Sequence, residues 1–280
     1  MNPNYPVYVI SKGRAHSNLT VRTLDRMRVP CRVVVEPPEV DAYARAIGRD
    51  RLMVLPFADL GLGSIPARNA VWDDAVKRGF TRHWILDDNI EAFNRLHLNM
   101  KPEVETGAIF RAAEVFVDRY ANVGLAGFNY YSFCKATEAV PPYYLNTRIY
   151  SCILVNHAVP FRWRGRYNED TDLSLRVLKA GWCTVLFNAF LAGKVTTLRM
   201  KGGNTDTLYQ GDGRRLMAES LAEQHPDVAR VVWKFGRWHH HVDYRGFKHN
   251  ALVSIAPVAA QGVNNFGMVL VQKKSQAVTP

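Results

Sequence analysis

A chain of 280 residues that is 48% hydrophobic is long enough to bury a sizeable core without disulfides, and too apolar to remain disordered. No apolar run reaches membrane-spanning length, and Met1 to Pro6 lacks the charged and apolar regions of a secretory leader, so a soluble cytoplasmic protein without a membrane partner is expected. The net charge of +11 makes a polyanionic partner worth considering, but small anionic substrates suit basic enzymes equally well. Cys31, Cys134, Cys152 and Cys183 are widely spaced with no Cys-x-x-Cys pair, which argues against a zinc site or a disulfide framework.

In chain order, residues 5–10 read as a first strand that ends in a polar turn with Ser11, Lys12, Gly13 and Arg14. Asn18 is in position to cap a helix carrying Leu19, Leu24 and Met27, which must end before Pro30. Val33, Val34 and Val35 form the next strand and hand Glu36 to its C-terminal edge. A helix over 40–47 and a third strand over 52–55 complete a rhythm typical of a parallel sheet with crossover helices. The loop Gly61-Leu62-Gly63-Ser64 then opens a helix, with Ser64 as cap and Ala67, Val71 and Ala75 on one face. Arg68 lies in its first turn, where a helix N-terminus beside a guanidinium suits a diphosphate, although Arg68 as plain surface charge is an even alternative.

Trp84, Ile85 and Leu86 run straight into Asp87, Asp88 and Asn89. The apolar run predicts a buried strand that delivers its acids to the crevice where open α/β sheets bind ligands. Adjacent carboxylates repel unless positive charge joins them; a magnesium or manganese ion is one answer and a helix-capping turn is the other. A helix over 103–121, a small-residue strand over 123–128, a long aromatic loop over 129–146 and a strand over 149–155 follow.

Arg162, Trp163, Arg164 and Arg166 precede Glu169, Asp170 and Asp172 at the start of a helix that stops at Gly181. Acids in a first turn suit the helix dipole; beside three arginines they also suit a general base next to an anionic substrate. After a strand over 182–187, a loop over 194–205 with Arg199 and Lys201 either closes on phosphates or lies on the surface. A helix over 214–224 leads to residues 233–249, where Arg237, Trp238 and His239 belong to an alternation of aromatic and basic side chains that offers stacking and phosphate contacts together. Three consecutive histidines do not converge on one ion, because adjacent side chains diverge. A disordered tail is expected over 275–280.

The order of these features, Arg68-Asn69 before Ile85-Leu86-Asp87-Asp88-Asn89 and then Asn168-Glu169-Asp170-Thr171-Asp172-Leu173, resembles the GT-A nucleotide-sugar glycosyltransferases over roughly residues 5–190. The resemblance implies an α/β fold: a Rossmann-like GT-A core over 1–198 built on a mixed, mainly parallel sheet flanked by helices, with a basic, aromatic-rich C-terminal extension over 199–274. It implies Mn2+ or Mg2+ at Asp87, Asp88 and Asn89, the last in place of a usual aspartate, holding the diphosphate of a UDP-sugar. Ser11, Lys12, Arg14, Glu36, Arg68 and Asp87 would bind this donor, with Glu36 beside the nucleoside. Asp170 would be the general base, with Glu169 the competing candidate.

More narrowly, Tyr8-Val9-Ile10-Ser11-Lys12-Gly13-Arg14-Ala15, Arg22-Thr23-Leu24 and Val34-Val35-Glu36-Pro37 are similar to the phage DNA glycosyltransferases associated with TET/JBP-type base hydroxylases. That likeness implies double-stranded DNA carrying 5-hydroxymethylcytosine as acceptor, in the host cytoplasm, met by Arg162, Trp163, Arg164, Arg166, Lys201, Arg237, Trp238 and His239. Three rivals stand beside it: a GT-A enzyme with a non-DNA acceptor, a non-catalytic basic DNA-binding protein, and a metal-dependent nucleotidyltransferase. The last should carry a glycine-rich loop after the first strand, where this chain has the single glycine Gly13.

Overall fold

The computed structural model describes residues 1–135, 137–195, 211–255 and 269. Strands β1 (Val7–Ile10), β2 (Arg32–Val35), β3 (Leu52–Val54) and β4 (Arg82–Asp87) pair in parallel in the order β3-β2-β1-β4. The sheet continues through β8 (Cys152–Asn156), β6 (Val123–Tyr130), β9 (Cys183–Lys194) and β5 (Ile90–Arg95), with β7 (Tyr143–Leu145) on the side of β9. β1, β2, β3, β4, β6 and β9 run one way, and β5, β7 and β8 the other, so the sheet is mixed and mostly parallel as expected.

Both faces of this sheet are covered, which is why its strands read as continuous apolar runs. The two-residue period sorts them: Val7, Val9, Val33, Val35, Trp84 and Leu86 pack with α1 (Leu19–Arg26), α2 (Val40–Ile47) and α4 (Ala108–Val117). Tyr8, Val34, Ile85, Ile153 and Val155 face the opposite side, under α3 (Ile65–Lys77) and α5 (Glu169–Lys179). Beyond α5, helix α6 (Gly213–Gln224) and the antiparallel hairpin of β10 (Ala229–Lys234) and β11 (Arg237–Val242) dock through a small cluster of Leu175, Leu178, Leu221, Ala229 and Phe247. Asn250 Nδ2 ties this region to the core by donating to the carbonyls of Leu178 and Trp182, both at 2.8 Å.

Several boundaries differ from expectation for identifiable reasons. The helix expected over 103–121 is α4 alone, because residues 94–104 are drawn into bridges between Asn94 and Glu103 and between His97 and Met100. The aromatic loop contains β7, and residues 90–95 form β5, a strand whose mixed burial hid it from a periodicity reading. The strand expected over 182–187 runs on to Lys194 as β9, past an irregularity where both Asn188 and Ala189 donate to the Pro142 carbonyl. A bulge of this kind re-aims a strand, and here it carries Lys194 to the C-terminal end of β4. Asn18 stands at the start of α1 in the left-handed region without capping it; its amide turns back to the Ala15 carbonyl. Among the described residues no helix is long and apolar enough to cross a membrane; the tail over 275–280 lies outside them.

Candidate active site

The C-terminal ends of β1, β2 and β4 open onto a cleft of about 430 Å³, closed from above by the start of α5 and by the β11 residues Trp238, His239 and His240. Asp87 and Asp88, the last residue of β4 and the first of its turn, leave in different directions. Asp87 turns toward β8 and β9, accepting from Ser151 Oγ at 2.7 Å, Lys194 Nζ at 2.8 Å and Arg68 Nη2 at 3.3 Å. Asp88 turns toward β1, accepting from Ser11 Oγ at 2.7 Å and from the guanidinium of Arg14. Burial works to raise the Asp87 carboxyl, but Lys194 and Arg68 pull it down to about 2, so it is fully ionised. For Asp88 burial prevails over Arg14 and Ser11, and its carboxyl rises above the ordinary value.

Arg68 is the hinge of the cleft. Its side chain is only 7% exposed, and the guanidinium lies 4.7 Å from the centre of the Trp163 ring. Nε reaches Ser64 Oγ at 3.1 Å and Glu169 Oε1 at 3.3 Å, while Ser64 Oγ donates to Glu169 at 2.8 Å. Ser64 thus begins α3 without a capping hydrogen bond, its hydroxyl spent on the link between Arg68 and α5. Burial raises the Glu169 carboxyl; Arg68 opposes this and Asp170 adds to it. Asp170 instead accepts from its neighbour Thr171, through the backbone N–H at 2.7 Å, and lines the cleft with Arg148, Tyr130 and His240.

On the rim beside β1 and β2, Lys12 bridges Glu36 at 2.7 Å and Asp59 at 2.6 Å. The expected donor residues Ser11, Lys12, Arg14, Glu36, Arg68 and Asp87 therefore all line one cleft, with Glu169 and Asp170 opposite. The expected acceptor residues divide. Arg166, Trp238 and His239 line the same cleft, and Arg237 is exposed beside His239 at 3.0 Å. Arg162 is paired with Asp73 and lies over Trp72, Arg164 is paired with Asp172, and Trp163 is 2% exposed. Trp163 is therefore a buried platform for Arg68 and has no face to offer an acceptor. Lys201 lies outside the described residues.

The sequence reading missed Ser151, Tyr130, Arg148, His240 and, above all, Lys194. Lys194 Nζ donates to Asp87, to Ser151 Oγ at 2.8 Å and to Tyr130 Oη at 3.4 Å; burial would lower its pKa, but Asp87 and Tyr130 push it up. No local pattern marks it, since it is separated from Asp87 by β5, α4, β6, β7, β8 and α5 and reaches it only through the irregular course of β9.

The expected divalent cation does not fit these groups. Magnesium or manganese takes oxygen ligands, usually one or two carboxylates beside substrate phosphates. Here both oxygens of Asp87 face cations, and those of Asp88 face Arg14 and Ser11. Asn89 Oδ1 is buried without a partner among the described residues, but one amide oxygen does not make a donor set. Among the described residues no three His, Cys, Asp or Glu side chains converge as a metal-binding group.

Comparison with solved structures pairs the chain with a protein described as a nucleotide-diphospho-sugar transferase of Desulfovibrio desulfuricans G20, at 10% identity and a TM-score of 0.40, over 80% of this chain and 98% of that one. It also pairs with a mannose-6-phosphate isomerase of Helicobacter pylori, at 8% identity and a TM-score of 0.30, over 88% and 89% of the two chains. No curated protein matches. Comparison with family profiles matches residues 5–203 to the TET-associated glycosyltransferases, a span that holds the strand-end acids, the Arg68 hinge and the α5 carboxylates, and the chain belongs to that glycosyltransferase family.

Proposed function

We propose that this enzyme transfers a sugar from a UDP-sugar to the hydroxymethyl group of 5-hydroxymethylcytosine in phage DNA. The observation that carries the acceptor half is the position of Arg148, which lines both the donor cleft and a second cavity of about 980 Å³. That cavity is walled by the aromatic rings of Phe133, Tyr144 and Tyr150 and by Arg230, Arg245 and Lys248. Stacking faces beside cations suit a nucleic-acid strand whose target base leaves the helix to reach the cleft, and the net charge of +11 favours the approach of a polyanion.

In this reading Ser11, Lys12, Arg14, Glu36 and Arg68 bind the donor. The hydroxymethyl oxygen attacks the anomeric carbon, its proton passes to the Asp170 carboxylate, and the bond from the anomeric carbon to the diphosphate oxygen breaks with its electrons going to departing UDP. Asp170 suits the base because it accepts from its neighbour Thr171 and faces the cleft, whereas Glu169 is committed to Ser64 and Arg68. Glu169 then positions Arg68.

The test is nucleoside mass spectrometry of hydroxymethylcytosine DNA and unmodified DNA after incubation with the enzyme and a panel of UDP-sugars, in EDTA and in manganese. A hexose-sized gain on the hydroxymethylated base alone is expected. Donor hydrolysis without any gain on DNA moves the acceptor to another class of molecule.

A further inference from the structure

A glycosyltransferase that uses a nucleoside-diphosphate donor must neutralise the charge that builds on the leaving diphosphate. A divalent cation supplies this in one way; a lysine or arginine aimed at the phosphates supplies it in another. At the end of β4 the second arrangement is already assembled. Lys194 Nζ stands 2.8 Å from Asp87 and 2.8 Å from Ser151 Oγ, with its side chain 18% exposed toward the cleft. Arg68, on the other oxygen of Asp87, is held flat by Trp163, and Arg14 is fixed by Asp88 on the β1 side.

The arrangement is built rather than incidental. Ser151 is held in the left-handed backbone region at φ 57°, and its hydroxyl links Tyr130, Lys194 and Asp87. Tyr130 also lies under the ammonium, 5.6 Å from ring centre to Nζ. An ammonium has three hydrogens to donate, and Asp87, Ser151 and Tyr130 accept from it here, so Lys194 acts on a diphosphate through its charge. A dication brought to Asp87 would have to displace Lys194 and Arg68 from its oxygens, whereas a diphosphate would meet Lys194, Arg68 and Arg14 with opposite charge while Asp87 and Asp88 keep them in place.

We propose that Lys194, with Arg68 and Arg14, takes the place of a divalent cation at the leaving diphosphate, so that glycosyl transfer by this chain is independent of metal. As the bond between the anomeric carbon and the diphosphate oxygen breaks, the electron pair stays on that oxygen, and the ammonium of Lys194 offsets the charge without giving up a proton. Asp87 is then a positioning residue that orients Lys194 and Arg68. The inference rests on the glycosyl-transfer reading and on no particular acceptor.

The experiment is calorimetric titration of metal-stripped full-length enzyme with UDP, GDP, ADP, CDP and dTDP, in EDTA and in manganese, followed by donor turnover under the same two conditions. At least one diphosphate should bind with a Kd that changes less than about twofold between conditions, and turnover should survive EDTA. Lys194→Gln should weaken that binding about tenfold or more and slow turnover about a hundredfold, and Lys194→Arg should restore part of both. Melting curves identify a variant that fails to fold, and the comparison of EDTA with manganese on the wild-type enzyme stands without any variant. Binding and turnover that require manganese overturn the proposal and leave the donor reading intact. Binding of no diphosphate under either condition overturns both.

Discussion

The guanidinium of Arg68 lies over the ring of Trp163 at 4.7 Å, and this contact turns a helix-start arginine into a fixed fork. Its edge meets Ser64 and Glu169 on one side and Asp87 on the other, so α3, α5 and β4 are joined through one side chain. Arg68→Lys keeps the charge but loses the planar geometry and the stacking. Donor kcat/KM should fall at least about tenfold, with a melting temperature close to wild type. Initial rates decide it, and an unchanged rate would make Arg68 a charge only, not a fork.

How much of this was legible from sequence depends on the range of each contact. The apolar runs Val33-Val34-Val35 and Trp84-Ile85-Leu86 announce strands buried on both faces, and both occur where expected. That Ser11, Lys12, Arg14, Glu36, Arg68 and Asp87 share one cleft was legible because each sits near a strand end or in a first helical turn, where backbone pattern alone fixes position. Lys194 was not, because its place depends on where β9 breaks register, which no local spacing encodes. Trp163 differs from expectation for a related reason: beside three arginines it read as an acceptor contact, yet its backbone N–H and C=O are pinned by Asn69 and its ring is drawn inside.

The two carboxylates of α5 should separate by function. Asp170→Asn removes the proposed proton acceptor and should lower kcat by a factor of about 10² to 10⁴ while leaving UDP affinity unchanged. Glu169→Gln should instead weaken donor binding, since Glu169 holds Arg68 and Ser64. Measuring kcat and UDP affinity for both variants tests the assignment. A kcat collapse in the glutamine variant, with the asparagine variant nearly active, would exchange the roles.

Asp172, only two residues on, belongs to a different task. Fully buried, it accepts from Arg176 Nη2 at 2.7 Å, Arg164 Nη2 at 3.0 Å and His225 Nε2 at 2.9 Å, which fastens α5 to the loop before it and to the end of α6. Burial works against its ionisation, but His225 and both arginines hold its carboxyl down to about 2. A depressed carboxyl pKa stabilises the fold at pH values above the unfolded value, and that stability is lost as pH falls toward 2. Asp172→Ala leaves the buried His225, the largely buried Arg176 and the half-exposed Arg164 without their acceptor and should cost roughly 3–5 kcal/mol, on the order of 10 °C in melting temperature. Thermal unfolding measures it; a variant that melts like wild type while losing turnover would make Asp172 catalytic.

The last prediction concerns acid sensitivity at the opposite end of β4. His157 Nδ1 donates to the Phe80 carbonyl at 2.7 Å, so its Nε2 must accept from His83 Nδ1, also at 2.7 Å. That leaves His83 Nε2 deprotonated and buried, without a partner among the described residues, against Trp72 and Tyr8. Burial lowers the pKa of His83 well below 6.5, helped by His157, Arg162 and Arg68, and burial also lowers that of His157. Because the unfolded chain takes up these protons near pH 6.5 and the folded chain does not, stability is complete above pH 6.5 and declines below it. The slope is at most about 1.4 kcal/mol per pH unit for each histidine. Urea midpoints between pH 7 and pH 5, where most carboxylates remain ionised in both states, should fall for the wild-type protein. His83→Leu should lower the midpoint at pH 7, because His157 Nε2 loses its donor, but should flatten the dependence on pH. Equal slopes in the two proteins would show that the pair is protonated in the folded state and that the burial argument fails.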